Sequence, residues 1–427
     1  MFANYDGSHF AAANNKAMIV FMSLQFIPSL VASGTLVVGG NLIGQNRKEE
    51  LATIITTGIV VNFLITGFVV LLVNIFAPQL AQMQGTSDNL ITGTNIKEMD
   101  FVSDYIRILT IQLLFMSIAQ VYIAGLQVLK KQRHVAIGAI LSNFIDLGVV
   151  SLILFGIKGA NPLWAALGIP LSVLFQMIYM IIINMHYIDY RNKKRFDRKF
   201  AIETIRIGLP ITLEMGLWNV CNFMSRSAVA GLGTPNGEDI DKYINLNVYI
   251  NTINQFSGTF LQAISTVTSI LVAREIGRGS VDDAYHQGMN CWKISVYAQL
   301  ILSTLTFSAV YPLLVWVFNA DTQIVIKFGI IIFAIANIKT LFDTVNLTLL
   351  RALWAVGDLW TPLIVSIFTM TIGMVMIPLI IEYTFTGATG LGLIYIWLGI
   401  LLDPIGRATI YVIRWRGRKW TKYAKKL

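Results

Sequence analysis

Charge is what this 427-residue chain has least of: 13% of its residues are Asp, Glu, Lys or Arg, against 55% that are hydrophobic. That balance, with apolar runs of membrane-spanning length from end to end, excludes a water-soluble globule of this size. Its two cysteines, Cys221 and Cys291, lie in or beside apolar runs, which rules out a disulfide framework and supplies no metal-ligand spacing. Four scattered histidines, His9, His134, His186 and His286, form no metal-binding pattern, and neither a Walker motif nor a glycine-rich nucleotide loop occurs. The chain therefore does not read as an enzyme or an ATP-driven pump. The alternating segments of β-barrel strands are missing too, and the continuous apolar runs predict helices. Residues 1–15 lack the basic start and cleavage site of a signal peptide.

What the chain does have is a succession of apolar segments. They predict eleven membrane helices, at 14–44, 51–78, 102–129, 134–157, 161–187, 202–232, 243–275, 286–319, 322–352, 359–383 and 388–414. Several exceed the bilayer thickness, so tilt or kinks at Pro28, Pro170 and Pro210 are expected to absorb the excess. The net charge of +9 collects in alternate loops and the tail, which argues against nucleic acid and for orientation and contact with anionic lipid. One side carries Arg47, Lys48, Lys130, Lys131, Arg133, Arg191, Lys193, Lys194, Arg195, Arg198, Lys199, Arg274, Arg278, Arg351 and the tail from Arg414 to Lys426. The other carries Lys97, Lys158 and Lys242, with the acidic loop Gly233 to Asp241 containing Glu238 and Asp239. The positive-inside rule places the first side, and the C-terminus, in the cytoplasm of a multi-pass plasma-membrane protein whose N-terminus, with eleven spans, is outside.

Two stretches repeat each other: TLVVGGNLIGQNRKEELA from Thr35 to Ala52, and TSILVAREIGRGSVDDA from Thr268 to Ala284. Each closes an apolar run on Ile-Gly, then gives polar residues, an acidic pair and an alanine, as two homologous halves of a transporter would. The basic linker 188–200 is the expected boundary, between an N-terminal bundle at 1–187 and a C-terminal bundle at 201–414, with a basic tail at 415–427. Two helices fit between residue 201 and Gly277, but only one fits ahead of Gly44. The first half is therefore expected to lack its opening helix, about 30 residues upstream of Met1 in a twelve-helix molecule. Six spans per half preserve orientation, which makes the halves parallel pseudo-symmetric repeats.

Several local patterns resemble the multidrug and toxic compound extrusion (MATE) family. They are the repeated Ile-Gly-polar-acidic-Ala ending; IRIGLPITLEMGLW from Ile205 to Trp218, similar to that family's seventh helix; ILSNFIDLGVVSLILFG from Ile140 to Gly156, similar to its fifth; and LDPIGRATIYVIRWRGRKW from Leu402 to Trp420, similar to its last helix and exit. The resemblance covers nearly the whole chain. Departures from it are Ser142 where many members place an Asn four residues before the fifth-helix Asp, with Asn143 at three, and a stretched Arg351-to-Asp358 turn. It also implies an acidic residue in the missing first helix, with Asp6 in the loop after it. Two six-helix bundles around a central cavity, alternating access, and antiport of organic, often cationic, compounds against Na⁺ or H⁺ are what the resemblance implies.

A carboxylate at mid-bilayer costs about 2.5 to 3.5 kcal/mol, so each needs a partner, a proton or a function. At about 1.5 Å per residue, Asp146 and Glu214 fall near the middle of their spans, where carboxyls that hold a proton or a cation suit ion-coupled transport. Pro210, one turn before Glu214, frees a carbonyl for the same cavity. Lys339 and Asp343, four residues apart, suit an internal ion pair or one switched by substrate or proton, and Asp403 with Arg407 repeats the spacing as a structural pair. Asn143 and Ser142 join Asp146 as candidate coupling residues. Gln112, Gln120, Asn219, Asn222, Asn254, Gln255 and Asn346 are candidate cavity wall or interhelical bridges, and 15 Met and 24 Phe suit an adaptable apolar cavity as well as packing and lipid contact.

The expected protein is an all-α secondary antiporter, a monomer in the bilayer moving a small organic substrate. It needs no cofactor beyond Na⁺ or H⁺ as coupling ion, and no metal beyond Na⁺ at Asp146. Two other readings stand beside it: a flippase for a lipid-linked sugar or cell-wall precursor, which would line its cavity with cations, of which Lys339, Arg226 and Arg407 are present, and a non-transporting membrane remnant.

Overall fold

The computed structural model describes residues 8–84, 86, 90, 96–157, 162–191, 194–233 and 240–424. Asp6, Lys158, Lys193, Glu238, Asp239, Lys425 and Lys426, named above, lie outside the described residues. The long elements of the described chain are all helices: α1 (Ser8–Met22), α2 (Ser29–Gly44), α3 (Leu51–Ile75), α4 (Glu98–Val128), α5 (Gln132–Ser151), α6 (Gly168–Tyr187), α7 (Arg198–Ala230), α8 (Ile240–Arg278), α9 (Val281–Ser308), α10 (Ile330–Ala355), α11 (Trp360–Thr384) and α12 (Thr389–Arg416). It is a multi-pass membrane protein.

Nine of the eleven expected spans are long and apolar enough to cross a bilayer, counting one bent helix. That helix is α9, which turns by 57° into Val310–Val317. Pro312 has no N–H for the carbonyl four residues back, so the ladder is interrupted at the bend. The expected span 14–44 is two helices, α1 and α2, separated by turns over 23–28. Asn62, wholly buried on α3, makes the break tolerable: its amide donates to the Pro28 carbonyl at 2.8 Å and to the Ser117 carbonyl of α4 at 2.7 Å. A carbonyl freed in an apolar environment is thereby satisfied. The expected span 202–232 is α7, continuous through Pro210 but the most charged of the long helices, with Arg198, Lys199, Glu203, Arg206, Glu214 and Arg226.

The chain forms two compact units, 1–212 and 213–427. The division falls inside α7, beyond the basic linker, because the first half of α7 is locked onto α2. A Cβ on Gly34 would stand 2.1 Å from the Thr204 carbonyl oxygen, and one on Gly208 would stand 1.9 Å from that of Leu30. Only glycine lets two helix backbones meet this closely.

In the first unit α4 is the hub, packing on α1, α2, α3 and α6, with α5 against α6. Its core gathers Phe21, Phe101, Tyr105, Ile106 and Leu109. In the second unit α10 takes that place, packing on α8, α9 and α12, around Ile332, Phe333, Leu393 and Ile396. Half of the apolar stretch of α4 and of α10 is buried, against 17% for α5, so α5 shows most of its surface to its surroundings.

The repeat noted in the sequence is a repeated chain reversal. After α2 the Arg47 N–H donates to the Leu42 carbonyl and Asn46 N–H to that of Ile43; after α8, Ser280 and Gly279 do the same to Glu275 and Ile276. Both are Schellman caps, with Asn46 at φ +61° and Gly279 at φ +86°. The hubs share a second pair: Lys131 and Lys130 bond back to Leu126 and Gln127 after α4, and Asp358 and Gly357 to Leu353 and Trp354 after α10. On the opposite side, Asp321 accepts from Lys242 at 3.0 Å and caps the turn leading to α10. Hydrogen bonds from Lys242 and from the Gln323 and Ile324 amides hold its carboxyl below the usual carboxylate range.

Candidate functional site

Each unit carries its own group of ionisable side chains inside apolar helices. In the first unit, Asp146 lies on α5 at a cleft of about 550 Å³ lined by Asn14, Met18, Tyr105, Ile140, Asn143, Phe144, Leu147, Val150, Ala165 and Ile169. The carboxyl Oδ1 is buried without a hydrogen-bond partner, and so is the amide Oδ1 of Asn14 from α1. The Tyr105 phenol of α4 lies within electrostatic reach of Asp146. Space for the carboxylate comes from Gly168 at the start of α6, where a Cβ would stand 2.6 Å from Asp146 Oδ1. Most of the lining is apolar, and Ile140, Phe144 and Leu147, on α5 with Asp146, are exposed.

Of the two neighbours singled out in the sequence, Asn143 faces this cleft and Ser142 does not. Ser142 is buried and does not line the cleft. At 100° per residue, position 143 stands about 60° from 146, whereas 142 lies about 40° from it on the other flank, toward the packed side of the helix. Asn14 and Tyr105 were not among the expected site residues. Asn14 sits in a polar Asn-Asn-Lys opening that reads as a helix start, and Tyr105 reads as core.

In the second unit a continuous polar network runs across α7, α10, α11 and α12. Glu214, 3% exposed, accepts from the Ser366 hydroxyl at 2.6 Å, and Ser366 lies 3.1 Å from the Tyr411 phenol, which donates to the Pro362 carbonyl. Arg407 grips Asp403 through Nε at 2.8 Å and through Nη2, and stands 3.9 Å from Glu214. With its amide oxygen toward the guanidinium, Asn346 accepts from Arg407 at 3.1 Å. Glu214 Oε2 is buried without a partner. Lys339 donates to Asp343 at 2.6 Å.

The two i, i+4 pairs expected from sequence are thus present, but they differ. Arg407 and Asp403 side chains are 6% and 2% exposed, a sealed pair; Lys339 and Asp343 are 24% each, an open one. Ser366 and Tyr411, which tie Glu214 to the sealed pair, gave little sign in the sequence: a single Ser and a single Tyr in apolar helices most often serve packing.

The remaining wall candidates are more dispersed. Asn219 donates to the Met215 carbonyl of its own helix, Asn222 and Asn254 are half-buried, and Gln255 is exposed. On α4, Gln120 is half-buried and Gln112 is buried with Oε1 unpartnered. Among the described residues no cluster of three His, Cys, Asp or Glu side chains could hold a metal ion.

Ionisable groups held inside the apolar helices of a two-unit polytopic bundle define a membrane transport protein. The chain belongs to the MatE family, whose profile matches residues 1–152 and 210–379. It is similar to the uncharacterized transporter YisQ of Bacillus subtilis, 25% identical over 98% of this chain and 89% of the relative. It is also similar to the probable multidrug resistance protein NorM of Thermotoga maritima, 22% identical over 95% of this chain and 84% of the relative. Among solved structures, a MOP superfamily transporter from Pyrococcus furiosus superposes with a TM-score of 0.83 at 15% identity, covering 98% of this chain and 90% of that one. The eukaryotic MATE transporter AtDTX14 gives 0.79 at 16%, over 99% and 91%. The fold is the MATE fold.

Proposed function

We propose that this chain is a cation-coupled secondary antiporter that exports small organic compounds in exchange for Na⁺ or H⁺, with Asp146 as the coupling carboxylate. The observation that carries this reading is the pair of buried, unpartnered oxygens, Asp146 Oδ1 and Asn14 Oδ1, on one cleft. A buried acceptor left unpaired costs about 1–3 kcal/mol, more when charged. A proton on Asp146 donated to Asn14, or a Na⁺ held by both hard oxygen donors, would remove that cost. Loss of the cation restores it, so the cation biases the equilibrium between conformations that bury and expose the site. A volume of about 550 Å³ is within the range of small-molecule sites, and its apolar wall suits an organic substrate. Glu214, with Oε2 unpartnered, is the second coupling candidate.

The orientation proposed with this function has the capped ends after α2, α4, α8 and α10, and the C-terminus, in the cytoplasm, in keeping with their Lys and Arg content. The flippase reading calls for cations free to meet a pyrophosphate, whereas Lys339 and Arg407 are engaged by Asp343 and Asp403.

The test is transport in proteoliposomes with Na⁺ and H⁺ gradients imposed separately and a cationic and a zwitterionic dye each offered as cargo. One gradient is expected to drive dye movement, and Asp146→Asn to abolish the coupled component while the protein still elutes as a single folded species. Dye that moves under neither gradient, or an Asp146→Asn protein that transports like the wild type, refutes the assignment.

A further inference from the structure

The open pair on α10 speaks to what the substrate is. Ile331 and Ile338 are the exposed large residues of this helix, at 48% and 46%, and mark its outward stripe. At 100° per residue, Lys339 and Asp343 lie about 100° and 140° round from Ile338, and Asn346 about 80°. The pair therefore shares the side of Asn346, whose amide meets Arg407, and Asp343 and Arg407 are themselves electrostatically coupled. Lys339 and Asp343 form the accessible end of the network, and Arg407 with Asp403 its closed end.

An ion pair in an apolar span can be opened only by a ligand that replaces what each partner loses. A cation docking on Asp343 alone strands the Lys339 ammonium. The other carboxylates of the network are committed elsewhere: Asp403 is held twice by Arg407, and Glu214, although its Oε2 is unpartnered, is sealed at 3% exposure beside Ser366 and Arg407. An anion docking on Lys339 alone takes the ammonium from Asp343 and leaves it only Arg407, which Asp403 already holds. A molecule bearing both charges exchanges one internal contact for two new ones and leaves neither group unpaired.

We propose that Lys339 and Asp343 form a substrate-binding pair selective for zwitterions, Lys339 taking the carboxylate or other anionic group and Asp343 the cationic one. This rests on the transporter reading above and narrows its substrate class. Lys339 is then the specificity determinant, which disfavours compounds that carry positive charge only.

The experiment is equilibrium binding to the purified full chain in detergent, read by fluorescence anisotropy. The two probes are a zwitterionic xanthene dye with a free carboxylate and its methyl ester, which keeps the cation and loses the anion. The wild type is expected to bind the acid at least about tenfold more tightly than the ester, about 1.4 kcal/mol. Lys339→Gln should erase that preference by weakening the acid and not the ester, and Lys339→Arg should retain it. Lys339→Gln leaves Asp343 without its partner and could compromise folding, so the double variant Lys339→Gln/Asp343→Asn, which removes both charges, is measured too; it should also show no preference. Equal wild-type affinities, or a preference that survives either charge-removing variant, overturn the proposal. Because binding needs no gradient, a failed transport assay with the acid preference intact counts against antiport alone. Coupled transport without the preference counts against this pair alone.

Discussion

Replacing Gly208 by Ala tests the tightest contact in the first unit. The new Cβ would sit 1.9 Å from the Leu30 carbonyl oxygen, and real Cβ contacts begin at 3.0 Å, so α2 and α7 must part by about 1.1 Å. Both atoms belong to the helix backbones or are fixed to them, so no rotamer change offers relief. Overpacking of this kind costs about 1–3 kcal/mol, occasionally more, and a backbone clash belongs at the upper end. Alanine gains about 1 kcal/mol of helix propensity over glycine, leaving a net loss of about 2 kcal/mol. Gly148→Ala on α5 is the control, since no atom lies within 4 Å of its Cβ and only the propensity gain remains. Thermal unfolding in detergent, followed by fluorescence-detected size exclusion, should place Gly208→Ala several degrees below wild type and Gly148→Ala at or above it. The double variant Gly34→Ala/Gly208→Ala should lose less than the sum of its parts, because the first separation makes room for the second methyl. Equal melting of Gly208→Ala and Gly148→Ala would refute the close crossing.

Asn62→Ala should destabilise the first unit by about 1–3 kcal/mol, as the Pro28 and Ser117 carbonyls each lose a second hydrogen bond at about 0.5–1.5 kcal/mol; the same melt reads it. For the sealed pair, Arg407→Met should cost about 3–5 kcal/mol by stranding Asp403, whereas Arg407→Met/Asp403→Leu should cost markedly less. A double variant as damaged as the single one would show that the guanidinium is held chiefly for Asn346 or Glu214.

The fold was legible because apolar length is written directly in the sequence, and the two Ile-Gly reversals align the halves. Asp146, Glu214 and both i, i+4 pairs were visible for the same reason: charge in an apolar helix is conspicuous. What surrounds them was not. Asn14, Tyr105 and Gly168 reach Asp146 from three other segments, and Ser366 and Tyr411 reach Glu214 from two. Such partners are chosen by tertiary packing, on which local pattern carries no information. The division of the units inside α7 was hidden likewise, since it depends on Gly34 and Gly208 facing each other across 174 positions of sequence. The bend after Ala309 had a visible cause in Pro312, but a proline in an apolar run leaves open whether the helix breaks or, as at Pro210, continues.

The four Schellman caps are read by dihedral angle, not by side chain: Asn46 and Lys130 hold the left-handed position in one half, Gly279 and Gly357 in the other. At the lipid-facing positions of the helices between them many apolar residues serve equally well. A reversal must keep its angle whatever residue supplies it. The likeness of the two halves is therefore plainest in the angle of each reversal, where the chain leaves the helix.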